Sequence, residues 1–522
     1  MSTSPATAAF EIPERSGEVL CLPPASEFLA AAESNRRALA AAAVRIGGVP
    51  LAEIRAGARA GVLADAAAYG AALGLPRPRG PEDPRLLIGT GHQPFLFHPG
   101  IWAKHLLAAR LTAGAAVINM AVDCDAAEDI GADAPHLDGG LRIVRETLLR
   151  AEPDVPYEVI AAPARADWQT FLQRVDAHLR TLPRHGARDV FAEFAARTAD
   201  LRAPEIGSFL TLARRRHEGD TAYAELPVSR LAALREYRLF VLQIVAEAGR
   251  FASAYNTRLE AYRERFNIRT SAQPFPNLSQ AGTRTEVPFW IIRRGRRRPL
   301  FVEPRGGGYQ LFAADDPVAA ISGRDPEELA GLAVRPRALA LTAFTRLCVV
   351  DLFIHGVGGG RYDRVTDEVI ADFFGIAPPR YAVVSATLHL PLSEFDPGDE
   401  RAALQRRHLD LVHNPERTLG EPTGEQRRWI EEKWQLIGRL DGGTLTRRER
   451  REVTRRIRLI NEQLGLALAG ERERIARRLQ ALAEISQASA AATYRGYPFC
   501  FFPRHAVDAL VDIMLAGADD RR

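Results

Sequence analysis

Lysine is nearly missing from this chain. Of its 69 basic residues, only Lys104 and Lys433 are lysine. Arginine is a planar, permanently charged fork, whereas lysine is a compact point charge whose pKa moves with its surroundings. A lysine kept among so many arginines marks a position that arginine does not serve. Lys433 lies in the charged stretch Trp429-Ile-Glu-Glu-Lys-Trp434 and reads as an ordinary solvated residue. Lys104 lies in Gly89-Thr-Gly-His-Gln-Pro-Phe-Leu-Phe-His-Pro-Gly-Ile-Trp-Ala-Lys-His105 and reads as functional.

Other absences narrow the class. The four cysteines, Cys21, Cys124, Cys348 and Cys500, have no CxxC spacing. That excludes a zinc ribbon and a disulfide framework, and a reducing cytoplasm is the expected location. No run of 18 apolar residues exists, so no membrane span is expected. Met1 to Gly17 lacks a basic stretch followed by an apolar one, so no secretory signal is expected either. The net charge of +4 is too small to argue for nucleic acid. The run Arg293–Arg298 reads as a hairpin tip, with Trp290 its only nearby aromatic. The glycine run after His355 lacks the Gly-Lys-Ser/Thr ending of a phosphate-binding P-loop, and it is not GxGxxG at dinucleotide spacing. No internal repeat and no Ser-His-Asp order appears.

What is present is ordinary globular composition, 46% hydrophobic and 26% charged over 522 residues, enough for two to four domains. Residues 1–84 read as an N-terminal helical segment ending in a turn-rich linker, Pro76–Pro84. Residues 85–159 open with a short apolar strand, a loop, a helix from Pro99, and a second strand, which is a βαβ unit. Residues 160–270 read as a helical insertion, from apolar residues three and four apart. Residues 271–392 read as a β-meander followed by a return to α/β, with a strand running into His355-Gly-Val-Gly-Gly-Gly-Arg-Tyr-Asp363. Residues 393–522 predict helices at 399–413, 424–440 and 446–487, forming a hairpin or antiparallel coiled coil, and an aromatic tail docked on the body.

Three segments carry candidate chemistry. The first delivers His92, Gln93 and His98 to the carboxyl edge of a parallel sheet, where ligands bind in open α/β folds. A helix starting at Pro99 adds backbone N–H groups near Gly100, which attract phosphate or carboxylate. Lys104 lies one turn further on. The second is Asp123-Cys-Asp-Ala-Ala-Glu-Asp129. Asp123 and Asp125 are placed to hold Mg²⁺, orient an amine or act as base, or simply to cap a helix. Cys124, between two carboxylates, is a poor nucleophile. The third is the glycine turn, where Gly358 and Gly359 expose backbone N–H groups and Arg361 adds a cation.

These pieces resemble, in their order, the cysteine-adding enzyme of bacillithiol biosynthesis, the BshC family. Thr90-Gly-His-Gln93 and Gly100-Ile-Trp-Ala-Lys-His105 are similar to its first motif. Asp123, Asp125 and Glu128 match its acidic motif. Val334-Arg-Pro336, Gly358-Gly359, Phe373-Phe-Gly375 and Ser385-Ala-Thr-Leu388 match a third pattern. The chain departs from that family at His92, Val122 and Cys124, and Lys104 is out of register. The spacing of Gly100 and Lys104 behind His-Gln-Pro is instead similar to the WbqC-like family of sugar-locus proteins.

The resemblance implies a Rossmann-like parallel sheet core with a helical insertion and a C-terminal helical coiled-coil arm. It implies a ligase or transferase that joins an amine of an anionic or amino-sugar substrate to an amino-acid carboxyl group. In that scheme His92 and His98 move protons or stabilise negative charge, Lys104 and Arg361 hold an anion, and Asp123 and Asp125 position a metal or the amine. Gln93, Gly100, Glu128, Arg335, Gly358 and Gly359 line the substrate. ATP and Mg²⁺ are the cofactors it allows, and a homodimer through the coiled coil is the partner it allows. The rival expectation is a non-catalytic sugar- or nucleotide-binding protein with an assembly arm.

Overall fold

The computed structural model describes residues 10–78, 84–111, 115–138, 140–182, 186–219, 223–270, 275–392, 398–442 and 445–517. Residues 79–83 of the expected linker lie outside that set. The chain divides into two compact units. One comprises residues 1–134, 144–390 and 495–522, and the other comprises 135–143 and 391–494. The segments 1–84, 160–270 and 271–390 all belong to the first unit, as does the C-terminal tail.

The first unit is mixed α/β around a six-stranded sheet. Its strands begin with β1 (Val19–Leu22), β2 (Leu86–His92), β3 (Ala115–Ala121) and β4 (Ala224–Pro227). A separate antiparallel sheet follows, with β5 (Arg284–Arg293), β6 (Arg296–Arg305), β7 (Gly308–Ala313), β8 (Asp316–Ile321) and β9 (Val334–Pro336). The main sheet resumes with β10 (Leu352–His355) and β11 (Ala382–Ala386). Its order is β1-β11-β10-β2-β3-β4. All neighbours are parallel except β1, which runs antiparallel to β11. From β2 the chain steps outward to β3 and β4, then returns to β10 on the other side of β2. The direction of travel therefore reverses between β2 and β10.

Two strands of this sheet lie in segments read as mostly helical, between the helical stretches themselves. β1 belongs to the N-terminal segment, and β4 to the expected insertion. Each has four residues, too few to show a period, and each is fixed by its sheet neighbour. The expected meander is present. Its basic run forms the β5–β6 hairpin turn, in which Arg294 and Gly295 both have positive φ, 51° and 74°. That suits a tight two-residue turn of the right twist.

The helices of this unit are α1 (Phe28–Ala41), α2 (Leu51–Ala72), α3 (Pro99–Arg110), α4 (Arg165–Leu179), α5 (Gly186–Thr198), α6 (Ile206–Glu218), α7 (Val228–Leu231), α8 (Arg235–Ala246), α9 (Ala248–Arg265), α10 (Leu339–Phe344) and α11 (Val357–Val369). One buried carboxylate ties α2 to the sheet. Asp351 receives Arg55 at 2.6 Å, Arg59 at 2.7 Å and the Leu87 amide at 2.8 Å. Two cations and an amide fully satisfy the buried acid, as a buried ion requires.

The second unit contains α12 (Gly398–His413), α13 (Gly424–Asp441), α14 (Arg447–Leu466) and α15 (Ala469–Ala492). The single helix expected at 446–487 is thus two, broken at Ala467–Leu468. Gly465 and Gly470 flank the break, and glycine is a weak helix former. α13 and α14 each open with a capping box, Thr423 with Gln426 and Thr446 with Glu449. Lys433 corrects the expectation of a solvated residue. It is 1% exposed, and its Nζ donates to Glu416 at 2.8 and 2.9 Å and to the His413 carbonyl at 2.7 Å. The tail after this unit ends in α16 (Arg504–Ala516), part of the first unit.

Candidate anion site at the sheet reversal

The site is built where β2 and β10 end side by side. β2 is buried on both faces from Leu86 to Thr90, as a central parallel strand is. Its two glycines serve close packing. A Cβ at Gly89 would lie 2.8 Å from Val350 Cγ1, and one at Gly91 would lie 2.7 Å from the Met120 carbonyl. Beyond His92 the chain turns through a partly exposed loop and enters α3. His98 is the N-cap, its Nδ1 accepting from the Gly100 amide at 3.1 Å, and Pro99 takes the first helical position. Gly100 presses against β11, where a Cβ would meet the Ala386 carbonyl at 2.2 Å. α3 is thereby held tightly against the end of β11.

That seating aims Lys104 back at the strand end. Its Nζ donates to the Gly91 carbonyl at 2.7 Å, and the residue is 2% exposed. Among the described residues no acid pairs with it. Burial alone pulls its pKa down to about 7. The neighbouring imidazoles are kept neutral. His92 is pulled down to about 3 by burial and then by the charge of Lys104. His98 is also pulled to about 3, by burial and then by Arg495.

Arg495 is the residue that sequence reasoning missed. It follows the helical unit in the chain, and its guanidinium donates to Ser385 Oγ at 2.8 Å and to the Ala386 carbonyl at 3.0 Å. Burial lowers its pKa, its Nε has no hydrogen-bond partner, and no acid pairs with it among the described residues. An arginine 109 residues beyond the end of β11 gives no local signal of this position. The aromatic tail behind it was legible as a docked plug. Phe499 donates its amide to the Phe97 carbonyl at 2.8 Å and stacks near Phe97 and Trp102.

His355 closes the other side, at the end of β10. Its Nε2 lies 2.8 Å from Asp363 Oδ2, off the line of a straight hydrogen bond. Burial keeps its pKa low despite that carboxylate. Burial alone would raise Asp363, but His355 and Arg346 hold its carboxyl well below the usual range. The glycine run is the first turn of α11, with Gly356 as N-cap, rather than a loop. Gly358 faces open space, whereas a Cβ at Gly359 would lie 2.8 Å from His355 Nδ1. The N-terminus of α11 therefore presents backbone N–H groups at the same sheet edge.

Other predicted site residues are placed elsewhere or are already engaged. Arg361 donates to the Phe10 carbonyl rather than facing the crevice. Arg335 forms a two-pronged pair with Glu158, at 2.9 and 2.8 Å. Asp123 caps the short helix α7, accepting from the Ser229 amide at 2.9 Å and its hydroxyl at 2.5 Å. Burial raises its pKa to about 6. Asp125 accepts from Gln93 at 2.9 Å and from Arg297 at 3.2 Å. Glu128 is exposed. Burial and then Asp125 push Cys124 well above its ordinary pKa, so it stays a thiol. Among the described residues no three of His, Cys, Asp and Glu gather as a metal site. The structure thus brings together His92, His98, Gly100 and Lys104 with His355, the α11 N-terminus and Arg495, and leaves the acidic loop tied to other partners.

No protein-family model matches the chain, and comparison with curated proteins finds no relative.

Proposed function

We propose that the chain is a BshC-like enzyme with a Rossmann-like core, which holds a small anionic or amino-sugar substrate between the ends of β2 and β10. The strand order supports the fold reading. Numbered along the chain, the five parallel strands run 3-2-1-4-5, the order of doubly wound sheets that bind ligands at the reversal point. The observation that carries the function is a pair of basic side chains, Lys104 and Arg495, with no acid partner among the described residues, beside two helix N-termini. A bound carboxylate or phosphate supplies the missing counter-charge. His92 and His98, pulled to about 3, are neutral and weakly basic at pH 7, so in this scheme they orient the substrate by hydrogen bonds while an amine is joined to an amino-acid carboxyl group. ATP with Mg²⁺ is the activating cofactor of this scheme, with the cation carried on the phosphates. The helices α12–α15 are its coiled-coil arm and the means of homodimerisation, and the cytoplasm its place of action.

Thermal-shift titration tests this. Pyrophosphate, ATP–Mg²⁺, cysteine and an amino sugar are added to wild type, Lys104→Met and Arg495→Gln. A ligand at 100 times its Kd stabilises the native state by about 2.7 kcal/mol. Stabilisation of wild type by an anion, lost in both variants, is expected. No shift with any anion would remove the site.

One observation favours a second reading, a non-catalytic binding protein. Asp125 and Arg361 are bound to partners within the chain, so they do not share an open cleft with Lys104. Anion-dependent stabilisation without any condensed product, followed by mass spectrometry with ATP, cysteine and an amino sugar, is what this reading expects.

A further inference from the structure

We infer that Lys104 is a covalent nucleophile, able to form an imine with a small aldehyde or keto acid that carries a carboxylate or phosphate. The inference deepens the anion-site reading, on which it rests for the charged group of the carbonyl compound.

Three features of the geometry point to it. First, the amine has no acid partner among the described residues, and so nothing fixes it as an ammonium. Second, its one hydrogen bond runs to the Gly91 carbonyl, which takes a single N–H and leaves the lone pair of the neutral amine free. Third, Gly91, whose carbonyl holds the buried nitrogen, is itself only partly buried, as are His92 and His98. Lysines become nucleophiles when they are desolvated or set beside another cation. Here Lys104 is buried, and Arg495 borders the same site through His98. At a pKa of about 7 roughly half of the amine is neutral at pH 7, against less than about 0.1% of an ordinary lysine.

The step balances without an oxidant or reductant. The nitrogen lone pair forms the C–N bond while the carbonyl oxygen takes the proton that nitrogen loses. The carbinolamine then loses its hydroxyl with a second nitrogen proton as water, leaving C=N.

The chain contains its own control. Lys433 is equally buried but is held as an ion pair by Glu416. Wild-type protein is incubated at pH 7 with glyoxylate, or with pyridoxal 5′-phosphate, and treated with borohydride. Borohydride supplies the hydride that converts imine to secondary amine. Peptide mapping then locates the label. Lys104 is expected to carry one equivalent, about a hundredfold more than Lys433, and pyrophosphate is expected to protect it. Lys104→Arg and Lys104→Met are expected to lose the label. Because the mapping is done on wild type, misfolding of a variant does not blur the result. No label at Lys104, or equal label at Lys433, overturns the nucleophile. If pyrophosphate still stabilises the protein in that case, the anion site stands without it. Label at Lys104 that pyrophosphate does not protect keeps the nucleophile and overturns the shared anion site.

Discussion

Two lysines, both buried, have opposite surroundings. Lys433, on α13, has the Glu416 carboxylate and the His413 carbonyl at the end of α12 on its amine. Lys104 sits under the β2 loop with one carbonyl and no acid. The first is a closed ion pair that organises a helical unit. The second carries an uncompensated desolvation cost, of the kind that persists where a site uses the group. Burial by itself therefore says little about a lysine, and the partner decides whether it is structural or reactive.

The largest expected effect comes from breaking the closed pair. Glu416→Gln leaves the Lys433 ammonium buried opposite a neutral amide, at a cost of about 3–5 kcal/mol. Urea unfolding followed by helical circular dichroism reads it. A cost below about 1 kcal/mol would mean that Lys433 recovers water and is not held by the pair.

Gly100→Ala disturbs the other lysine through its helix. The added Cβ meets the Ala386 carbonyl at 2.2 Å, so α3 must shift, at about 1–3 kcal/mol. Gly358→Ala, facing open space, is the control and is expected to keep the wild-type Tm. Equal Tm values for the two variants would show that α3 is not clamped there.

The pH dependence separates the lysines further. The folded pKa of Lys104 is lowered, so between about pH 7 and 10.5 the unfolded state binds more protons than the folded one. Stability from this residue therefore rises with pH across that window, by about 2 kcal/mol between pH 7 and 9. Lys104→Met is expected to remove the rise and to be the more stable protein at pH 7. A slope unchanged by the substitution would mean that Lys104 titrates normally.

A smaller effect lies on the acid side. His98 is pulled from 6.5 to about 3, so stability is lost as pH falls below 6.5. The loss is about 1 kcal/mol between pH 7 and 5.5. His98→Asn keeps a capping side chain and is expected to flatten that part of the profile. Asp123, raised to about 6, acts with the opposite sign between 3.8 and 6, and so the variant is compared with wild type rather than with a flat line.

The sequence displays the fold in the places where its signals are local. The apolar run at β2, the Pro99 helix start and the meander strands all have periods or breakers that can be read. β1 and β4 are too short for that, and the sheet order they complete depends on pairing across hundreds of residues. The site was half legible. His92, His98 and Lys104 form one dense segment and do converge. The acidic loop read as well as a helix cap as a metal or base site, and Asp123 and Asp125 have donors from Ser229, Gln93 and Arg297, which no spacing announces.

By itself, the sequence determined the local elements and singled out Lys104 through the scarcity of lysine. The tertiary structure alone decided which charges go unanswered. It gave Lys433 an acid, brought Arg495 from the tail to β11, and turned Arg361 onto the Phe10 carbonyl. The physical reason is that desolvation and counter-charge depend on what lies within a few ångströms in space, and the chain brings those groups together from far apart.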